Sequence, residues 1–172
     1  MKKLRIEFKI LLLITAAAVA FMAVSTAIKG RLLVIQNNTT GNKIEFYLPE
    51  HEFSLGYMHS VMKTPAEEFF RVNENNEIVL EKTVYESFGV GLPFLADEKD
   101  FEIKDGKFIL KTNYTLKQIN MIISPIPKHW LRIGDMKYEL TDVLKIKNSS
   151  VTIYATDISI IKYFSLLFNS QY

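Results

Sequence analysis

Cysteine is absent from all 172 residues, which excludes disulfide frameworks, thiolate metal sites and a cysteine nucleophile in one step. It also excludes the lipid-modified cysteine that tethers many small envelope domains, so any hold on a membrane must come from a helix. Charge of one sign is scarce as well. The formal net charge is +2, and Lys2, Lys3, Arg5 and Lys9 against Glu7 more than account for it. The rest of the chain is close to neutral and offers no basic footprint for nucleic acid. His51, His59 and His129 lack metal-ligand spacing, so neither a metal nor another cofactor is expected. There is no internal repeat and no low-complexity linker.

What is present points to one folded domain behind a leader. The composition, 48% hydrophobic and 12% aromatic against 23% charged, excludes a disordered or collagen-like chain. The basic start MKKLRIEFK precedes an apolar stretch from Ile10 to Ile28 broken only by Thr15, Ser25 and Thr26. Ser25 and Ala27 put small residues where a signal peptidase reads, whereas an apolar length near a full span of roughly 20 residues favours a retained anchor. Residues 1–28 are therefore read as a signal or membrane-anchor segment and 29–172 as an extracytoplasmic β domain. The basic flank keeps the N-terminus inside. This places a single-pass protein in the inner or plasma membrane, its domain facing the periplasm or exterior.

Beyond the leader the period changes from helical to alternating. RLLVIQ at Arg31–Gln36, KIEFYL at Lys43–Leu48 and EFSLGYMH, with Phe53, Leu55, Tyr57 and His59 on one face, read as strands. EEFFRV and EIVLEKTVYES flank the turn composition NENN, and FEIK and KFILK flank Asp105-Gly106, a strong hairpin signal. QINMIIS, HWLRIG, MKYELT, VLKIK and VTIYA continue the series. About ten strands fit an all-β, mainly antiparallel sandwich or small barrel. In the tail, Ile158, Ile161, Phe164, Leu167 and Phe168 take a helical spacing, which suits a helix docked on the sheet or lying at a membrane interface.

Two segments are the least strand-like parts of the middle. The first is Tyr57-Met58-His59-Ser60-Val61-Met62-Lys63-Thr64-Pro65-Ala66-Glu67-Glu68. Pro65 holds Thr64 extended and cannot donate a ladder hydrogen bond, so His59, Ser60, Thr64 and Glu68 are expected to crowd one end of a sheet. The second is Ser87-Phe88-Gly89-Val90-Gly91-Leu92-Pro93, where Gly89 and Gly91 allow close backbone approach. It lacks the third glycine and following helix of a nucleotide fingerprint. A Ser60 nucleophile activated by His59 is disfavoured, because neighbours in a strand point to opposite faces. An acid/base pair of His59 and Glu68 would make the domain a hydrolase-like envelope enzyme, provided the two side chains lie within hydrogen-bond reach. A purely structural domain binding through a sheet edge is the third option.

The pattern F-x-L-x-Y-x-H-S-V-x-x-T-P-x-x-E from Phe53 to Glu68, followed by S-F-G-x-G-L-P from Ser87 to Pro93, resembles the bacterial domain of unknown function family 1850. The likeness extends more loosely to WLRIG near Trp130. Ala66 and Val90 stand where the family more often has valine and alanine. The resemblance implies an envelope protein encoded beside TRAP transporters of the TAXI type, with no known activity. On that basis the chain is expected to be a membrane-anchored accessory that binds the transporter's membrane subunit, its solute-binding protein or a small ligand. His59, Ser60, Thr64, Pro65 and Glu68, with Ser87, Phe88, Gly89 and Gly91, are the residues expected to do so.

Overall fold

A computed structural model describes residues 2–27, 30–59, 62–86 and 100–169. The chain divides into two units, Gly30–Asp157 and a second formed by Met1–Lys29 with Ile158–Tyr172.

Gly30–Asp157 is a β body of two open antiparallel sheets, so the sandwich alternative is realised and the closed barrel is not. The smaller sheet runs in the order β2 (Lys43–Leu48), β1 (Arg31–Asn37), β11 (Ser149–Asp157), β8 (Ile119–Ile123). The larger runs β10 (Met136–Glu139), β9 (Trp130–Ile133), β3 (Glu52–Met58), β4 (Pro65–Val72), β5 (Ile78–Tyr85), β7 (Lys107–Leu116), β6 (Phe101–Lys104). Period-two patterning decides which faces meet. In β11, Val151, Ile153 and Ala155 are buried and alternate with half-buried Thr152, Tyr154 and Thr156. They join Leu33, Ile35, Leu48 and Ile123 of their own sheet against Phe53, Leu55, Phe70, Val72, Ile78 and Leu131 of the other. Each such side chain contributes about 1.5–3 kcal/mol by leaving water.

The turns follow their chemistry. Asp105 and Gly106 both take positive φ, 52° and 74°, which matches the twist of the β6–β7 hairpin. Asn73 closes the β4–β5 turn, its side-chain oxygen accepting from the N–H groups of Asn75 and Glu77 at 2.9 Å each. One expected strand is different: VLKIK begins inside a short helix, α2 (Leu140–Leu144), which ends at Lys145 in the left-handed region. Leu140 is fully buried in the core, so tertiary packing overrides the β-branched character of the segment.

Register matters most at β5. Phe70 pairs with Leu80 and Phe69 with Lys82, leaving Glu81 as an extra residue. This β-bulge inverts the alternation. Ile78 and Leu80 share a face with Val72 and Phe70, and beyond the bulge Thr83 and Tyr85 share that same inward face with Glu68 and Ala66.

In the other unit, α1 (Lys2–Ala27) is a 26-residue helix, about 39 Å long. Its described large side chains, among them Phe8, Leu11, Leu12, Leu13, Ile14 and Val19, are exposed. Among the described residues no helix is long and apolar enough to cross a membrane. A second helix, α3 (Ile160–Asn169), follows β11.

Candidate functional site

The ladder between β3 and β4 sets out the first candidate segment. Met58 pairs with Pro65, Tyr57 with Ala66 and Leu55 with Glu68. Pro65 opens β4, where its missing N–H is tolerated. His59 and Thr64 add one more rung, the His59 N–H donating to the Thr64 carbonyl at 2.8 Å. The turn closes when the Lys63 N–H donates to the His59 carbonyl at 2.9 Å and the Met62 N–H to His59 Nδ1 at 3.2 Å. His59 is thus a buried member of the turn.

Glu68 lies further along the same inward face. Between the His59–Thr64 rung and the Leu55–Glu68 rung sits the Tyr57–Ala66 rung, and two such steps span roughly 13 Å. Tyr57 intervenes, so the register does not bring the His59 and Glu68 side chains within hydrogen-bond reach. Instead, Glu68 stands between Leu55 on β3 and Thr83 on β5, with Tyr57 on the next rung. Burial pushes the Glu68 carboxyl above its ordinary value. Burial first, and then the charge of Glu68, push the Tyr57 phenol up in turn. Among the described residues no hydrogen bond or ion pair reaches the side chain of Tyr57, Glu68 or Thr83. Tyr57 and Glu68 are half-buried and none of the three carries a fully buried orphan polar atom, so solvent reaches the row and leaves its polar groups open to an incoming partner.

The β8–β9 connection comes to the same end of the sheet. The Met58 N–H donates to the Pro127 carbonyl at 2.6 Å, and the His129 ring lies 6.2 Å from that of Tyr57. Burial lowers the His129 pKa, partly offset by the Ser124 backbone hydrogen bond. β5 ends at Tyr85 opposite Ala66, so the chain also leaves β5 at this end. Ser60, Ser87, Phe88, Gly89 and Gly91 lie outside the described residues. Thr83 and His129 are additions that sequence reasoning missed. The sequence offers His129 only as a metal ligand, and Thr83 faces inward only because of the bulge at Glu81.

The outward face of the same sheet is built differently. Glu67 accepts from Ser54 Oγ at 2.5 Å and from Arg132 Nε at 3.0 Å. Burial pushes its carboxyl up, but these two bonds and the guanidinium charge more than offset that and leave it below its ordinary value. Trp130 is buried against Gly56, where a Cβ would overlap the indole. Its N–H helps hold Glu67 ionised without meeting hydrogen-bond geometry, and Lys137 Nζ caps the ring at 4.2 Å. A cleft of about 210 Å³ opens here beside Ser54, Phe69, Lys82 and Arg132, smaller than the roughly 300–1,000 Å³ of ordinary ligand pockets. Glu67 is bonded within the sheet, whereas Trp130 Nε1 beside it is buried without a hydrogen-bond partner. Among the described residues no group of three or more His, Asp or Glu is placed to hold a metal ion.

The sequence profile of the domain of unknown function DUF1850 matches residues 53–140. The chain belongs to the DUF1850 family. The DUF1850 region starts at the second residue of β3 and ends at the first residue of α2, so it takes in nearly the whole larger sheet and β8. Both sequence segments, the Tyr57–Glu68–Thr83 row and the Glu67–Arg132 cluster fall inside it, whereas β1, β2 and β11 fall outside. No curated protein and no solved structure matches the chain.

Proposed function

We propose that this DUF1850 protein is a binding module held at the outer face of the inner or plasma membrane by α1. In this reading it serves as an accessory to a TAXI-type TRAP transporter and contacts the membrane subunit, the solute-binding protein or a small ligand. The observation that carries the binding role is the inward row of Tyr57, Glu68 and Thr83. A half-buried carboxyl with a raised pKa that still reaches solvent suits a group that an incoming donor completes. The membrane hold is supported by the exposed apolar side chains of α1 and by the basic residues before its apolar run. The transporter assignment rests on the family resemblance.

The test is co-purification. Tagged full-length protein is expressed with a TAXI-type transporter and its solute-binding protein, solubilised and recovered beside folded Glu68→Leu and Tyr57→Phe variants. Recovery of a transporter component by the native chain, with loss in Glu68→Leu, is the expected result. Equal recovery by all three chains would remove the inward row from the contact, and recovery by none would remove the accessory role.

A further inference from the structure

The C-terminal helix exposes apolar side chains. In α3, Ile161 is 84% exposed and Phe164, one turn on, is 39% exposed. Lys162 is the one charged residue among the ten of the helix, and Tyr163 and Phe164 add two adjacent aromatic rings. Leaving Ile161 in water forfeits the hydrophobic gain that burying such a side chain returns.

Topology says where that surface sits along the chain. Arg31, the first residue of β1, is the ladder partner of Asp157, the last of β11, and an ion pair at 3.4 Å ties the two. The chain therefore enters the β body from α1 and leaves it towards α3 at a single rung. Ala27 precedes Arg31 by four residues and Ile160 follows Asp157 by three, spans of at most about 14 Å and 11 Å. The two helical segments also group as one unit apart from the β body.

We propose that α3 is an interfacial helix that lies on the outer leaflet beside the anchor, with Ile161 and Phe164 in the acyl boundary. This rests on the reading of α1 as a membrane anchor. A short helix with an apolar side, aromatic residues and a lone lysine suits the headgroup–acyl boundary and is too short to span. Such a contact gives the chain a second point of attachment to the bilayer, C-terminal to the β body.

The absence of cysteine makes the test direct. Single cysteines at Ile161→Cys, Phe164→Cys and Lys162→Cys are spin-labelled in the full chain and reconstituted into phosphatidylethanolamine–phosphatidylglycerol vesicles. Flotation of the vesicles with the protein checks the anchor first. The expected result is that labels at 161 and 164 collide with a water-soluble nickel complex several-fold less often than the label at 162, and with oxygen more often. Equal aqueous collision at all three sites in floated vesicles overturns the interfacial helix and leaves the anchor standing. Dipolar broadening between labels at 161 or 164 that persists on dilution with lipid overturns it in favour of a second copy of the chain. Failure of the protein to float overturns anchor and inference together.

Discussion

Replacing Glu68 by leucine is expected to make the β body more stable while removing its ability to bind. The carboxyl sits on the inward face between Leu55 and Thr83, is held above its ordinary pKa by burial, and has no hydrogen bond or ion pair among the described residues. A half-buried carboxyl that meets no protein donor but still reaches solvent costs about 1 kcal/mol, the low end for an unpaired polar group, and leucine of similar volume removes that cost while adding apolar contact. The sign of the pH dependence is distinct. Because the folded-state pKa is raised, the neutral acid is favoured in the fold: the contribution is fully present below the unfolded value near 4.3 and is lost as pH rises through the folded value. Urea unfolding followed by Trp130 fluorescence, from pH 4 to pH 8, measures both. The native chain should lose stability across the lower part of that range more steeply than Glu68→Leu, and the variant should be about 1 kcal/mol more stable at neutral pH. A variant less stable than the native chain at pH 7 would refute the reasoning, since it would show that Glu68 makes a net stabilising contact.

Other changes probe the opposite face. Gly56→Ala places a Cβ into the Trp130 indole and should destabilise by about 1–3 kcal/mol through overpacking, with a shifted Trp130 emission maximum as its signature. Glu67→Gln removes the charged acceptor of Ser54 and Arg132 and should cost about 1.5–3 kcal/mol at neutral pH, read by the same denaturation. Its pH dependence runs opposite to that of Glu68: the Glu67 pKa is depressed, so its contribution is present above the ordinary carboxylate value and disappears as pH falls through the lower folded value.

Much of the fold was legible because alternation and turn chemistry agree. Asp105-Gly106 and the Asn73–Asn76 cluster sit where hairpins are observed, and the inward set Phe53, Leu55 and Tyr57 follows from period two. VLKIK was misread because alternation alone cannot see that Leu140 fills the core from a helix. The candidate site was legible in part. Tyr57 to Glu68 reads as a strand end, a proline-marked bend and a second strand, and the structure keeps that order. Thr83 was not legible, since strict alternation from Ile78 and Leu80 turns it outward and only the bulge at Glu81 brings it beside Glu68. The different fates of Glu67 and Glu68, one ionised against Arg132 and the other raised by burial on the inward face, were not legible either. They are neighbours in sequence, and only the identity of the cross-strand residues separates them.

The central claim is that the Tyr57–Glu68–Thr83 row is the binding surface. Hydrogen–deuterium exchange on the full-length protein, alone and with a TAXI-type transporter and its solute-binding protein, tests it most directly. The account expects slowed exchange at β3, β4, β5 and the turn from His59 to Thr64, with the β9–β10 hairpin unchanged. Slowed exchange confined to β9 and β10, or along the β8 edge with none at β3–β5, would contradict it.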